Sequence, residues 1–503
     1  MDSSDKQFNY KYNWRRPANI EFFERKEKNT VINQLCELRV AGGASRIFKL
    51  KTLALYANKR FGNKHFKYEL FPHDRPSVTE YKSFLLRNAG NDFKQLYMRD
   101  AIIQRVMVSH VDLDWQAWRP TIVYINGAYK GILNLRERAN EVNILTHYGI
   151  EDIDLIENWN SLKEGTMDNA IAFRTFYRQD GHSMVEYEEL MDCGEFANLM
   201  IMNLYFNNQD FPAHNIVMWR PRTEGGRWRW IAKDTDFGLG LYRDADYNSI
   251  AWLHDPNYDK FKANTPAATL LFRQLMTDAD FKRMFIDRCA VYMGEFLNEA
   301  TIHSVWDPMY QEIKAEFPYH CLAIGRKDNY TEELSKAQEW LSKRSQYFAN
   351  HLAEFYNLGT PTPLTINHDT DIAEEESPNI SFNGIKLSKG SFDGMYFQGR
   401  EITLSAQTED ETQTFIWEIK SNGANGEVSK EEITGNECSF QMPQCDSLSI
   451  TLARATTDIR SITGTYHIST DSCWYSISGQ RFDHKPTKSG LYIHHGKKVL
   501  ITQ

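Results

Sequence analysis

The sequence has little of what marks a disulfide-stapled, membrane-spanning or nucleic-acid-binding protein. Its seven cysteines, Cys36, Cys193, Cys289, Cys321, Cys438, Cys445 and Cys473, are scattered and form no C-x-x-C. That pattern excludes a disulfide framework, and the odd count leaves at least one free thiol; Cys438 and Cys445 are spaced to pair across a turn between two short strands. No apolar run approaches the ~20 residues of a transmembrane helix. A net charge of -9 argues against a nucleic-acid partner, because counterion-release binding needs basic surface. The first residues, MDSSDKQFNYKYNWRRPANIEFFERKEKN, lack the apolar core of a signal peptide. Their polar, abrupt start reads as mid-chain, so further sequence is expected upstream. Internal repeats and strongly low-complexity segments are also missing. What is present is globular: 41% hydrophobic and 25% charged over 503 residues, more than one core holds, so two or three domains are expected.

Residues 30–70 alternate apolar and polar in LCELRVAG and SRIFKLKTLALYA, interrupted at Gly42 and Gly43. The pattern predicts two strands around a turn carrying Ser45 and Arg46, with Lys49 and Lys51 sharing one face of the second strand and at least one turned inward. Solvated lysines on an edge strand are the plainer alternative. Downstream, Asn91 or Asp92 is placed to cap a helix whose stripe is Leu96, Ile102, Ile103 and Val106. Arg87 and Arg99 are placed to pair with Asp92 and Asp100. TIVYINGAYKGILNLRERANEVN predicts a hairpin turning at Asn126-Gly127, with Glu137 at its end. A helix over 194–206 leads into the polar loop NNQDFPAHN, and NIVMWR and RWRWIAKD read as strands. Trp219, Trp228 and Trp230 alternate with polar residues there and read as packing. Residues 265–356 are predominantly helical, a bundle-like cap. Composition then shifts at about 358: LGTPTPLTINHDTDIAEEESPN reads as a linker over 358–376. Regularly spaced short strands over 377–466 predict a β-sandwich, and 467–503 holds two or three strands, too few for a core of their own.

The chemistry concentrates at residues 207–238. Asp210 lies five residues before Asn215, and Asp234, Asp236, Phe237 and Gly238 follow a short apolar run. In phosphoryl-transfer enzymes an Asp addresses the hydroxyl nucleophile, an Asn five residues on serves a metal, and an Asp-Phe-Gly Asp holds metal against the phosphates. Asp-Phe-Gly alone arises by chance in roughly one chain in ten of this length, so order and context decide. The chain has no G-x-G-x-x-G strand, V-A-I-K, H-R-D or A-P-E, which excludes an ordinary protein kinase. His214 reads as a loop histidine.

The succession GGASRIFKLKTLAL, FLLRNAGNDFKQLYMRDAI, VYINGAYKGILNLRERAN, NNQDFPAHNIVMWR and WIAKDTDFG, over roughly residues 30–350, resembles the CotH kinase family, the spore-coat-type atypical protein kinases. The resemblance implies an α+β fold: a divergent, two-lobed protein-kinase-like domain over 1–357, followed by the β-sandwich, taken as immunoglobulin-like, and the small β tail. It implies ATP with Mg²⁺ or Mn²⁺, and transfer to Ser or Thr of a secreted or cell-surface protein. Carried onto matching positions, Arg46 and Lys51 contact phosphates, with Lys49 and Arg87 as further cations at the nucleotide. Glu137 partners the lysine, Asp210 is catalytic, Asn215 holds metal or positions, and Asp234 and Asp236 bind metal. Thr52 stands where the family usually has Ser, and Lys233 where it often has Trp. The last segment resembles the short C-terminal tails of exported bacterial proteins, which with the family favours secretion or the cell surface, the export signal lying outside these residues. The rival expectation is a surface adhesion or glycan-binding protein that keeps the fold without catalysis, suggested by 13% aromatic residues and the sandwich.

Overall fold

The computed structural model describes residues 8–25, 28–260, 262–369, 372, 378–408, 413–423, 426–455, 474–476, 481–494 and 497–501. Described residues up to Arg454 form one compact unit, and those from Ala455 onward a second. The first unit holds both helices and strands, the described elements of its last stretch, from Pro361 to Arg454, being strands alone.

The first unit begins with β1 (Arg16–Phe23), β2 (Thr30–Ala41) and β3 (Thr52–Tyr56). A two-stranded ribbon, β4 (Phe66–Lys67) and β5 (Glu80–Tyr81), precedes β6 (Ser83–Arg87), β7 (Trp118–Ile125) and β8 (Ala128–Arg136). Six of these make an antiparallel sheet in the order β1-β2-β3-β6-β8-β7. Asn126 and Gly127 both take positive φ, +50° and +74°, as the predicted two-residue hairpin turn requires. Lys49 and Lys51 lie before β3 rather than on it, because Ala44–Ile47 closes into a 3₁₀ turn and the strand starts at Thr52. Helix α1 (Arg99–Val108) is inserted between β6 and β7 and starts later than predicted, since Gly90–Lys94 forms a separate 3₁₀ turn. Asp92 still serves this helix from outside: its carboxylate accepts the Leu96 and Arg99 amides at 3.0 and 2.9 Å and pairs with the Arg99 guanidinium.

Next come α2 (Glu141–Tyr148), β9 (Ile153–Glu157), β10 (Ser161–Glu164), α3 (Asp168–Tyr177), α4 (Met184–Glu188), α5 (Cys193–Tyr205), β11 (Val217–Pro221) and β12 (Arg229–Ile231). The strands pair as β10-β9-β11-β12. Every residue of α5 except Gly194 is buried; its amide side chains are bonded inside, Asn198 to Asp112 O at 3.0 Å and Asn203 to Leu199 O at 2.8 Å. Trp219, Trp228 and Trp230 are buried packing residues. The helical region follows as predicted: α6 (Ser249–His254), α7 (Leu270–Leu275), α8 (Ala279–Glu295), α9 (Glu299–Ile313), α10 (Phe317–Ile324) and α11 (Tyr330–Tyr356). Fully buried Arg344 of α11 donates to the carbonyls of Leu204 and Tyr205 at 2.9 and 2.7 Å and of Ala245 at 2.7 Å. Its guanidinium thereby satisfies the open end of α5.

The stretch expected to be a linker holds a strand instead. β13 (Pro361–His368) pairs antiparallel with β16 (Phe392–Phe397) and parallel with β21 (Ser447–Arg454). Thr362, Leu364 and Ile366 alternate inward, a period-2 signal that the flanking prolines obscured. Between them come β14 (Asn379–Phe382), β15 (Ile385–Lys386), β17 (Glu401–Gln407), β18 (Phe415–Asn422), β19 (Val428–Thr434) and β20 (Glu437–Gln441). Two sheets result, β16-β13-β21-β18-β19 and β15-β14-β17-β20, in contact where the Phe382 ring lies 5.3 Å from Phe392 and 5.0 Å from Tyr396. They dock on α8: Asp287 accepts from the Tyr396 hydroxyl and pairs with Arg400, both at 2.8 Å. Cys438 and Cys445 are buried and free, not bridged. Residues 456–466, the expected end of the sandwich, lie outside the described residues.

The second unit pairs β22 (Trp474–Ser476), β23 (Arg481–Phe482), β24 (Gly490–His494) and β25 (Lys497–Ile501) as β23-β22-β24-β25, four strands where two or three were expected. Among the described residues no helix is long and apolar enough to cross a membrane.

Candidate functional site

With the end of α5 fixed by Arg344, the loop that follows starts from a defined point. Asn208 donates to the Asn203 side chain at 2.7 Å and accepts the Asp210 amide at 3.4 Å. The Asp210 carboxylate is held on both oxygens, by His214 Nδ1 at 3.0 Å and Asn215 Nδ2 at 2.9 Å. Asn215 takes φ +59°, a left-handed conformation that Asn tolerates better than most residues. Burial raises the Asp210 carboxyl above its ordinary range; His214 and Asn215 oppose the rise and the charge of Asp234 adds to it.

After β12 the chain turns at Asp234, φ +57°, and carries Asp236 inward until it is 1% exposed. One oxygen of Asp236 accepts the Asn91 amide at 2.5 Å; the other, Oδ1, is buried with no hydrogen-bond partner. Burial, and then Asp234, push this carboxyl well above the usual carboxylate range, with Arg87 opposing. Arg87, at the end of β6, meets three acids: Nη2 pairs with Asp234 and lies 3.4 Å from Asp236, and Nη1 donates to Asp100 Oδ2 at 2.9 Å. The same Asp100 oxygen lies 2.9 Å from buried Arg136, while Oδ1 accepts the Thr235 amide and hydroxyl at 2.8 and 3.1 Å. Burial alone would raise Asp100, but Arg136, Arg87 and Thr235 outweigh it and lower the carboxyl to about 2.

The basic half stands apart from this cluster. Lys51 donates to the carbonyls of Arg46 and Phe48 at 2.6 and 2.5 Å and lies 4.2 Å from the Tyr10 ring centre. Arg46 holds Gly42 O at 2.6 Å and the Asn13 side chain at 2.8 Å. Lys49 reaches the last turn of α10, donating to Ala323 O at 3.1 Å. Asn88 joins the two halves: its side chain accepts from Thr52 Oγ1 at 2.8 Å and from the Gly90 amide at 3.2 Å, and donates to Leu50 O at 2.7 Å.

The expected Lys51–Glu137 pair does not form. Glu137 is buried and committed elsewhere, to Arg75 at 3.1 Å, the Ala117 amide at 3.0 Å and His147 at 2.7 Å. Side chains alternate along a strand, so Arg136 takes the face toward α1 and its neighbour Glu137 takes the other. The strand-to-helix ion pairs in this sheet are Arg87–Asp100 and Arg136–Asp100, both at 2.9 Å. Lys233, next to Asp234 in the chain, pairs instead with Glu157.

Among the described residues no three His, Cys, Asp or Glu side chains converge as metal ligands; Asp234 and Asp236 close on Arg87 instead. The unpartnered Asp236 oxygen beside Asp234 nevertheless has the hard-oxygen chemistry that suits Mg²⁺ or Mn²⁺. Sequence reasoning named Arg87 and Arg99 as partners of Asp92 and Asp100 without saying which meets which, and the structure pairs Arg87 with Asp100 and Arg99 with Asp92. The same reasoning gave Asp100, Arg136 and Gly90 no place in the site. The visible signal was a charged pair, Arg99 and Asp100, opening a helix whose buried stripe is apolar. A family model described as CotH kinase protein matches residues 38–348. No curated protein matches the chain.

Proposed function

The chain belongs to the CotH kinase family, and on that footing we propose that it is an atypical protein kinase transferring the γ-phosphate of ATP to Ser or Thr of a secreted or cell-surface protein. One observation carries the reading: Asp236 keeps a buried, unpartnered carboxylate oxygen beside Asp234, and Asp234 is near enough for its charge to act on Asp210. In this reading the six-stranded sheet with α1 is the upper lobe, α5 with the later helices the lower, and the two appended sheets an immunoglobulin-like sandwich that binds a surface partner.

Asp210 orients the substrate hydroxyl and takes its proton. His214 and Asn215 hold the carboxylate, leaving it one direction in which to act. Asp234, Asp236 and the Asn215 side chain would hold the divalent ion, which when bound neutralises phosphate charge. Arg87 keeps its proton at any working pH and supplies positive charge beside Asp234 and Asp236. Arg46 and Lys51 close the glycine turn and, with Lys49, are assigned to the phosphates. Glu137 braces the hairpin end from behind, through Arg75 and His147.

The test is incubation of the purified chain with labelled ATP and Mg²⁺ or Mn²⁺. Transfer to the chain itself or to an added protein is expected, and Asp210→Ala should abolish it. Labelling that survives Asp210→Ala would remove the role given to Asp210. Thermal stabilisation by ATP with Mg²⁺ but no transfer to any acceptor would refute the kinase reading in favour of a nucleotide-binding protein.

A further inference from the structure

We infer that Arg87 is a resident cation of the acidic pair, and that Asp100 is the positioning residue that retains Arg87 when a divalent ion displaces it from Asp234. The inference rests on the reading of Asp234 and Asp236 as cation ligands. It concerns how this chain makes that site available.

The cluster sets three carboxylates, Asp100, Asp234 and Asp236, against two guanidiniums, Arg87 and Arg136. The Arg87 side chain is 12% exposed and Arg136 is 1% exposed, so water screens their charges little. A guanidinium cannot escape competition with a metal ion by losing its proton; it must move or be held elsewhere. Its contacts already divide that way. Nη2 faces Asp234 and Asp236, and Nη1 faces Asp100.

The two sides differ in rigidity. Asp100 opens helix α1 and is fixed by Arg136, the Thr235 amide and hydroxyl, and Gln104 at 2.8 Å. Asp234 belongs to a loop and its side chain is 36% exposed. An ion arriving at Asp234 and Asp236 therefore needs Arg87 to release only its Nη2 contacts, while the bond to Asp100 keeps the guanidinium at the end of β6. Without the Asp100 charge, the metal-binding acids are the ionic partners left to Arg87 among the described residues, and it competes for them more strongly.

The test is Mn²⁺ binding to the full chain without nucleotide, read by electron paramagnetic resonance. Arg87→Gln should tighten binding roughly tenfold and Arg87→Lys, which keeps the charge, should stay within about threefold of wild type. Asp100→Asn should weaken binding roughly tenfold in the wild-type background and have little effect in the Arg87→Gln background, because the competitor is gone. Asp100→Glu should recover most of the affinity. Equal weakening by Asp100→Asn in both backgrounds would mean that the carboxylate only shapes the Thr235 loop, and overturns the inference. So does an Arg87→Gln protein that binds Mn²⁺ no better than wild type, a result that stands even where Asp100→Asn does not fold. Phosphate transfer with a flat Mn²⁺ pattern leaves the kinase reading and removes this inference. The Mn²⁺ pattern without transfer does the reverse.

Discussion

Gly90 is the point where a single methyl group should separate the site from the scaffold. It takes φ +58°, and a Cβ there would lie 2.3 Å from Asp236 Oδ2 and 2.6 Å from Arg87 Nη2. Gly127, at the hairpin turn, also has positive φ, +74°, but open space around its Cβ position. Ala at either position bears the left-handed backbone cost of roughly 1–2 kcal/mol. At Gly127 that is the whole effect. At Gly90 the methyl must also displace a carboxylate that is 1% exposed and the guanidinium paired with its neighbour. Disrupting a buried, hydrogen-bonded charge costs about 3 kcal/mol more, giving roughly 4–5 kcal/mol in all. Chemical denaturation of both variants beside wild type measures the difference between them, from which the backbone contribution cancels. Phosphate transfer should stay within about twofold of wild type in Gly127→Ala and fall at least roughly a hundredfold in Gly90→Ala, the scale set by a misplacement of about 1 Å. A Gly90→Ala protein within about 0.5 kcal/mol of Gly127→Ala, with transfer intact, would refute the account of how Asp236 and Arg87 are held.

Glu137→Gln should destabilise the protein by about 2–4 kcal/mol at pH 7, since it breaks a buried carboxylate's ties to His147 and Arg75. Burial raises the Glu137 carboxyl, but His147 and Arg75 outweigh it and set it below the ordinary 4.5. Its stabilisation is therefore present above about 4.5 and lost as pH falls through the lowered value, so denaturation curves of variant and wild type should converge in acid. Glu157→Gln should release Lys233 toward Asp234 and weaken Mn²⁺ binding several-fold, an effect that a second change, Lys233→Met, reverses and that shrinks in molar salt.

Much of this architecture was legible without coordinates because it is written in short-range patterns. The Asn126-Gly127 turn, the largely apolar α5 and the alternating strands each follow from periods of two or 3.6 residues and from turn chemistry. The order Asp210, Asn215, Asp234, Asp236 was readable for the same reason, since one loop and one hairpin deliver all four. β13 escaped because Pro361 and Pro363 look like linker residues, and its partners β16 and β21 lie further along the chain.

Which cation meets the acids was a different kind of question. Lys51 and Glu137 have suitable chemistry, but the turn before β3 folds Lys51 back on its own carbonyls, and strand alternation sends Glu137 behind the sheet while Arg136 faces α1. Arg87 and Asp234 are 147 positions apart, and no local pattern specifies their meeting. The sequence by itself determined the elements and the supply of acidic and basic side chains. Only the packing of β6 and β8 against α1 decided which of them share a buried site, because a side chain's reach is a few ångströms and its direction is set by the register of the whole sheet.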